Sequence, residues 1–454
     1  MKKTFRIMIV LVLILGLVPT IAAASGPNKI GINIVLNQTV NDNILKDLSA
    51  YGKVRDVLPQ INAVMLFGAY SNLDAIKALP FVGDAAPDSE SYMPPLDTVE
   101  VTDFADGLST WDLDAINVTD FGFDNRTVAE DGTGVYVAIL DTGLVQNWRM
   151  FFPQERISEE YAKAFGGGGN SGINITEVAD KWEHDTNSHG THVTSTILGY
   201  NLRGTPVNGV APLATVIPVK VLNQNGSGWD SVIATAIVYV ADLKDGPLAD
   251  NPVVINMSLG GPTLDPVMKA AIDYAIGKGV MVVASAGNEG EEGMGYPGAY
   301  APVISVAASG WIGEWTAAGW WNALNVPDPN IAANFYITDF SSREKPGQQL
   351  DVAAPGSWVV GPYEVNFGHV SYYYLGGTSM ASPHVAGIVA LMAQKDPGLV
   401  QSQAEAILKA SALPLPAGCR NIFDPNVGPT EVCWGDDASG SGMVEADAAL
   451  AATP

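Results

Sequence analysis

Basic residues are scarce in this chain. Lys and Arg number 23 against 48 Asp and Glu, a formal charge of −25. A surface of that sign repels nucleic-acid phosphates and anionic membranes, so neither is an expected partner. Charge of either sign is thin as well, at 16% of residues beside 47% apolar ones, which excludes disorder driven by charge excess and leaves material for a large core. Cysteine is nearly absent. Cys419 and Cys433 stand close together near the C-terminus, a spacing compatible with one disulfide in an oxidising compartment, although two free thiols satisfy the count equally. Long apolar runs are missing except at the N-terminus, where a basic Met1–Arg6, an apolar Ile7–Val18 and a small-residue Ala22–Ala24 follow one another. These are the three regions of a secretory signal peptide, with cleavage expected after Ala24. The rival is a membrane anchor, but the run is short for a bilayer span and Pro19 follows it. A secreted product without membrane contact is the expectation.

What is present is organised in two parts. From Lys29 to Asp88 the pattern reads strand Ile30–Leu36, helix Asn43–Tyr51, strands Val54–Leu58 and Ala63–Phe67, helix Leu73–Leu79 and strand Val82–Ala85. That βαββαβ order predicts a small α+β unit, an open ferredoxin-like sandwich. A linker rich in proline and acid follows over Asp88–Asp106, where Pro94-Pro95 rules out a continuous helix. Beyond Gly134, continuous apolar runs at Val135–Leu140, Val216–Leu222, Val253–Leu259, Val280–Ala286, Val303–Ala307 and Leu350–Ala353 alternate with helix-length segments. Runs without polar alternation are strands buried on both faces, so the fold class is α/β, a doubly wound parallel sheet. Asp265 before Pro266, with Gly279 beyond, marks the two ends of one helix. Another runs over Ser231–Leu243.

In doubly wound sheets, chemistry collects at the carboxyl ends of strands. Three segments bear on it. Val135–Leu140 runs into Asp141-Thr142-Gly143, which alone is an acid before a turn. His189-Gly190-Thr191-His192-Val193 opens a helix, and its paired histidines lack the acid of a zincin motif. Gly376-Gly377-Thr378-Ser379-Met380-Ala381-Ser382-Pro383-His384 leads into the apolar helix Val385–Ala393. A serine at such a helix start either caps it or places a nucleophile where free N–H groups and the helix dipole stabilise an oxyanion. Ser379 is preferred over Ser382, which precedes a proline inside the first turn.

Taken together and in this order, Asp-Thr-Gly, Asn-Ser-His-Gly-Thr-His-Val and Gly-Thr-Ser-Met-Ala-Ser-Pro-His-Val-Ala-Gly resemble the subtilisin-like serine proteases, the subtilases, over about Trp111 to Ala452. Val254–Pro262 and Ala286–Gly290 add to the match, as does Gly440–Ala446. The resemblance implies a serine endopeptidase with Asp141, His189 and Ser379 as its triad, and with Asn288 and the N–H of Ser379 as its oxyanion hole. It implies that Ser258, Leu259 and Gly260 form a strand edge for substrate. Ala284, Ser285, Ala286, Gly287 and Gly295 then line the pocket for the residue before the scissile bond, with Glu289 able to admit basic ones. His192 and His384 become structural.

The implied organisation is a signal peptide over 1–24, an inhibitor-like propeptide over 25–93 and a catalytic domain over 94–454. The partners are polypeptide substrates and the chain's own propeptide, and a monomer is expected. No cofactor is required for catalysis. A structural calcium ion is a further implication, with Asp185, Asn201 and Asn208 as candidate ligands. Two features depart from the family pattern: a long segment between Asp141 and His189 containing Gly166–Gly169, and an insertion over Gly310–Phe335 with Trp311, Trp315, Trp320 and Trp321. Those tryptophans either pack on an apolar face or form an exposed substrate patch. Broad specificity is the expectation. A narrow-specificity maturation protease and a non-catalytic peptide-binding relative are the alternatives.

Overall fold

The computed structural model describes residues 28–93, 96–104, 109–121, 125–364 and 370–454. The signal-peptide segment 1–24 and Pro94-Pro95 lie outside them.

The N-terminal unit runs β1 (Lys29–Leu36), α1 (Asp42–Leu48), β2 (Gly52–Leu58), β3 (Ala63–Ala69), α2 (Leu73–Lys77) and β4 (Val82–Pro87), with sheet order β2-β3-β1-β4, antiparallel at each contact. The expected βαββαβ order is present. Period-two alternation sends successive side chains of β3 to opposite faces: Val64 and Leu66 join the unit's own core, while Ala63 and Met65 join the core of the larger body. The unit therefore has one face for itself and one for docking.

Two short strands follow, β5 (Glu90–Tyr92) and β6 (Asp97–Glu100), then the helical turn α3 (Trp111–Asp114). The larger body continues with β7 (Tyr136–Asp141), β8 (Lys163–Gly168), β9 (Ile173–Val178), α4 (His189–Leu198), the hairpin β10 (Tyr200–Leu202) and β11 (Thr205–Val207), β12 (Thr215–Lys220), β13 (Ser227–Trp229), α5 (Asp230–Lys244), β14 (Val253–Met257), α6 (Pro266–Gly277), β15 (Val280–Ser285) and β16 (Ile304–Trp311). It closes with α7 (Trp320–Ala323), β17 (Phe335–Ile337), β18 (Val352–Pro355), β19 (Val359–Pro362), β20 (Tyr372–Gly376), α8 (Thr378–Lys395), α9 (Gln401–Ser411), β21 (Gly418–Asp424), β22 (Gly428–Trp434) and α10 (Ala446–Ala452).

The main sheet has the order β17-β16-β15-β14-β7-β12-β8-β9, with β18 also on β16. It is parallel except where β17 and β9 join antiparallel. Its central strands β7, β14, β15 and β16 are buried on both faces, as their largely apolar runs require, whereas the edge strand β9 is exposed. In β7, Val137 and Ile139 face the core shared with α4 and α8, while Ala138 and Leu140 face the core shared with α5 and α6. α6 is capped at Asp265, whose carboxylate accepts the N–H groups of Val267 and Met268.

The N-terminal unit docks on the α5/α6 face. Asn33 donates to Asp265 Oδ2 at 2.9 Å, and Asp88 accepts the N–H of Ser231 at the start of α5 at 3.0 Å. Cys419 and Cys433 form a disulfide across the β21/β22 hairpin. The insertion tryptophans are packed rather than displayed: Trp311, Trp320 and Trp321 are buried, and Trp315 and Trp320 meet Tyr374 with ring centroids 4.6 and 5.7 Å apart. Among the described residues no helix is long and apolar enough to cross a membrane.

Candidate active site

β7 ends in Asp141 and α4 begins at His189, so two buried side chains arrive at one point from different elements. His189 Nδ1 lies 2.9 Å from each carboxylate oxygen of Asp141. The N–H of Thr142 donates to Asp141 Oδ1 at 2.6 Å, which fixes the carboxylate against the turn that follows. Such an acid holds the ring in the tautomer with a proton on Nδ1 and leaves Nε2 as the basic nitrogen. Nε2 of His189 is buried and without a partner among the described residues.

Asp185, named above as a candidate calcium ligand, braces this pair. Its oxygens accept the hydroxyl of Thr142 at 2.8 Å and the N–H groups of Asn187 and Ser188 at 2.8 and 2.9 Å, so both are committed to protein donors. Burial raises its pKa to about 6. Of the other two calcium candidates, Asn201 turns its oxygen back to the N–H of Gly204 at 2.7 Å, and Nδ2 of Asn208 is buried without a partner among the described residues. Among the described residues no group of three or more His, Cys, Asp or Glu could hold a metal ion.

Ser379 is the second residue of α8 and is buried. Its N–H belongs to the first turn, where no intrahelical acceptor exists. Its hydroxyl donates to the carbonyl of Ser258 at 3.2 Å, and Ser258 Oγ donates back to the carbonyl of Ser379 at 2.8 Å. The serine hydroxyl is thus directed to the end of β14 and makes no hydrogen bond to His189. Bonds of this kind commonly tighten only with substrate in place. Ser382 is fully buried with Oγ 2.8 Å from Ser258 Oγ.

Asn288 follows the carboxyl end of β15. Its Oδ1 accepts both the N–H and the hydroxyl of Thr378, each at 2.9 Å, and this double bond to the residue before Ser379 turns Nδ2 toward the Gly377 turn. A side-chain donor and the free N–H of Ser379 therefore flank one turn, the arrangement that receives a developing oxyanion. The remaining helix histidines have other duties. His192 Nε2 meets the carbonyl of Val359 at 3.1 Å, and burial lowers its pKa to about 3, so it stays neutral. His384 bridges the carbonyl of Met380 and Asp112.

A cleft of about 360 Å³ opens onto Ser379 and Asn288. Of the residues expected to contact substrate, Leu259, Gly260, Ser285, Gly287 and Gly295 line it, whereas Ser258, Ala284 and Ala286 are buried behind it. Glu289 lines it too, with Oε2 engaged by the N–H of Asn288 and the hydroxyl of Ser342.

The sequence did not point to Tyr92, Met93 and Leu96, which also line the cleft. Tyr92 and Gly260 exchange both backbone hydrogen bonds, at 2.8 and 2.9 Å, and β5 pairs antiparallel with β13. The N–H of Leu96 reaches the carbonyl of Gly376 at 3.0 Å, and β6 pairs antiparallel with β20. The chain's own linker lies along the cleft on both sides of Ser379. The hydrogen-bonding roles of Thr378 and Asp185 were not foreseen either. For Asp185 a signal existed, an acid two and three residues before N–H groups at a helix start.

A family model described as the subtilase family matches residues 132–442. Subtilisin DY of Bacillus licheniformis is 35% identical over 285 residues, which is 62% of this chain and 84% of that protein. Subtilisin Savinase of Lederbergia lenta is 33% identical over 318 residues, 70% of this chain and 91% of that protein. Among solved structures, fervidolysin from Fervidobacterium pennivorans, described as a keratinolytic enzyme related to subtilisin, superposes with a TM-score of 0.65 at 25% identity. That superposition covers 94% of this chain and 61% of fervidolysin.

Proposed function

The chain belongs to the subtilase family and is a subtilisin-like serine endopeptidase, and on that premise we propose that Asp141, His189 and Ser379 form its catalytic triad, with Asn288 and the Ser379 N–H as the oxyanion hole. One observation carries the assignment: the carboxylate of Asp141 grips Nδ1 of His189 and leaves Nε2 free.

In this reading Ser379 Oγ turns from the Ser258 carbonyl and attacks the substrate carbonyl carbon while His189 Nε2 takes its proton. Negative charge moves to the carbonyl oxygen, which accepts from Asn288 Nδ2 and the Ser379 N–H. Collapse expels the amine, which leaves with the proton held on His189. A water molecule, deprotonated by the same nitrogen, then releases the acyl group. Asp141 stays ionised throughout and stabilises the imidazolium. The test is labelling by a serine-directed phosphonate, expected to be stoichiometric in the wild type and absent in Ser379→Ala. Retained labelling in that variant would overturn the nucleophile assignment.

The wider reading is a secreted zymogen: signal peptide 1–24, propeptide 25–93 as chaperone and inhibitor, and a monomeric catalytic domain 94–454. Docking of the N-terminal unit on α5 and α6, with Tyr92 hydrogen-bonded to Gly260 inside the cleft, supports it. Recognition through main-chain bonds at Leu259-Gly260, beside a pocket walled by Gly287 and Gly295, supports broad specificity. Cleavage profiling on a random peptide library tests this, since a single dominant sequence would favour the maturation-protease alternative.

A further inference from the structure

On the reading above, we infer that Leu96–Phe104 is a strap that stays on the edge of β20 after the N-terminal unit is removed, and that it occupies the side of the cleft where residues after the scissile bond must bind.

The direction of the chain comes first. β5 lies against Gly260 and β13, and β6 lies against β20, the strand that runs into Gly377-Thr378-Ser379. The linker thus crosses the site from the Gly260 edge to the β20 edge, the N-to-C polarity of a peptide substrate. Residues of a substrate beyond the scissile bond need the edge that β6 now fills. β20 has β19 on its other side, so no second edge is open.

The two halves of the crossing are held differently. The β5 half is held in the cleft by main-chain bonds at Tyr92, a three-residue pairing with β13, one buried side-chain bond from Ser91 Oγ to Asp230 at 2.8 Å and the buried side chain of Met93. The β6 half pairs over four residues and is then riveted by side chains. Val101 is buried in the main core and donates its N–H to the carbonyl of Tyr372. Asp103 accepts the hydroxyl of Tyr374 at 2.7 Å and the N–H of Gly319 at 2.8 Å, while its carbonyl accepts Trp321 Nε1 at 3.3 Å. Phe104 sits under the guanidinium of Arg203, 3.7 Å from the ring centroid, and edge-on to Tyr372. Gly319 and Trp321 belong to the tryptophan insertion. The insertion builds a socket for Asp103, which an arbitrary substrate peptide cannot supply. Cutting the chain before Leu96 removes none of these contacts.

Hydrolysis of a peptide anilide uses only the Gly260 side, whereas a peptide extended by four residues past the scissile bond must displace the strap. The experiment compares the two in processed enzyme, with identical residues before the scissile bond, for wild type, Asp103→Ala and Tyr374→Phe, alongside N-terminal sequencing of the processed chain. The expected results are a mature N-terminus ahead of Asp97 and a rise of about tenfold in kcat/KM for the extended peptide in Asp103→Ala. A smaller rise is expected in Tyr374→Phe, with anilide hydrolysis unchanged in both, which also shows that the variants fold. A mature N-terminus beyond Phe104, or an unchanged ratio of extended-peptide to anilide hydrolysis in both variants, overturns the strap. Failure of the wild type to hydrolyse either substrate overturns the protease reading itself and the strap with it.

Discussion

Asp185 accepts the hydroxyl of Thr142 at 2.8 Å, and through this bond the turn that carries Asp141 is fastened to the loop that carries His189. Thr142 Oγ1 in turn accepts the N–H of Gly190 at 2.9 Å, so a ring of hydrogen bonds closes around the Asp141–His189 pair. Ser188, with a positive φ of 75°, is held by the same carboxylate. That backbone conformation is costly for a non-glycine residue and persists because Asp185 secures it.

Replacing Asp185 by Ala strands three donors, two of them buried. A stability loss of about 1–3 kcal/mol is expected from an unsatisfied buried donor alone. Because His189 loses its fixed position, kcat should fall while KM changes little. Denaturant titration and steady-state kinetics check the two effects, and a variant with wild-type kcat would show that the brace is dispensable.

Asn288→Ala should lower kcat by about 10²–10³, the range measured on removing such a donor from a subtilisin. Thr378→Val keeps the amide but removes one of its two anchors on Asn288 Oδ1. Its loss should be smaller and again in kcat. A less than tenfold effect of Asn288→Ala is not compatible with an oxyanion role.

If the enzyme processes itself, Ser379→Ala should accumulate as precursor still carrying residues 25–93. Gel mobility and N-terminal sequencing read this directly. Normal maturation of the variant would mean that another protease makes the cut.

Glu314 is fully buried in the tryptophan insertion, where it accepts Trp311 N–H, Tyr336 Oη and Ser357 Oγ at 2.8 to 2.9 Å. Burial raises its pKa to about 8 from 4.5. The folded state favours the protonated acid, so its contribution to stability is complete below the unfolded value near 4.5 and is lost as pH rises through 8. Glu314→Gln, neutral at every pH, should therefore show a shallower fall in Tm between pH 5 and 9. Parallel Tm curves for wild type and variant would place the ionisation elsewhere.

Much of the scaffold was legible because burial on both faces leaves an unmistakable trace: β7, β14 and β15 are largely apolar runs, and each ends at or just before a residue of the site. β8 was not legible. Its Gly166–Gly168 stretch lacks side chains to show a period, and its place is set by β12 and β9 on either side. β6 and β20 escaped for another reason. β6 is a four-residue strand whose partner lies more than 270 residues away, and pairing at that range leaves no local pattern.

The site divides in the same way. The residue types proposed above for the chemistry could be read from the chain alone, because Asp141, His189, Asn288 and Ser379 each lie at a junction between an apolar run and a turn or helix start. Which groups hold them is visible only in three dimensions. Asp185 braces the Asp141 turn because its oxygens accept Thr142 Oγ1 and two N–H groups. Asn288 presents its donor because Thr378 takes its acceptor. The linker lies in the cleft because Gly260 and Gly376 offer open strand edges on either side of Ser379. Hydrogen-bond partners of a side chain are chosen by distance in space, and distance in space is what a linear pattern does not contain.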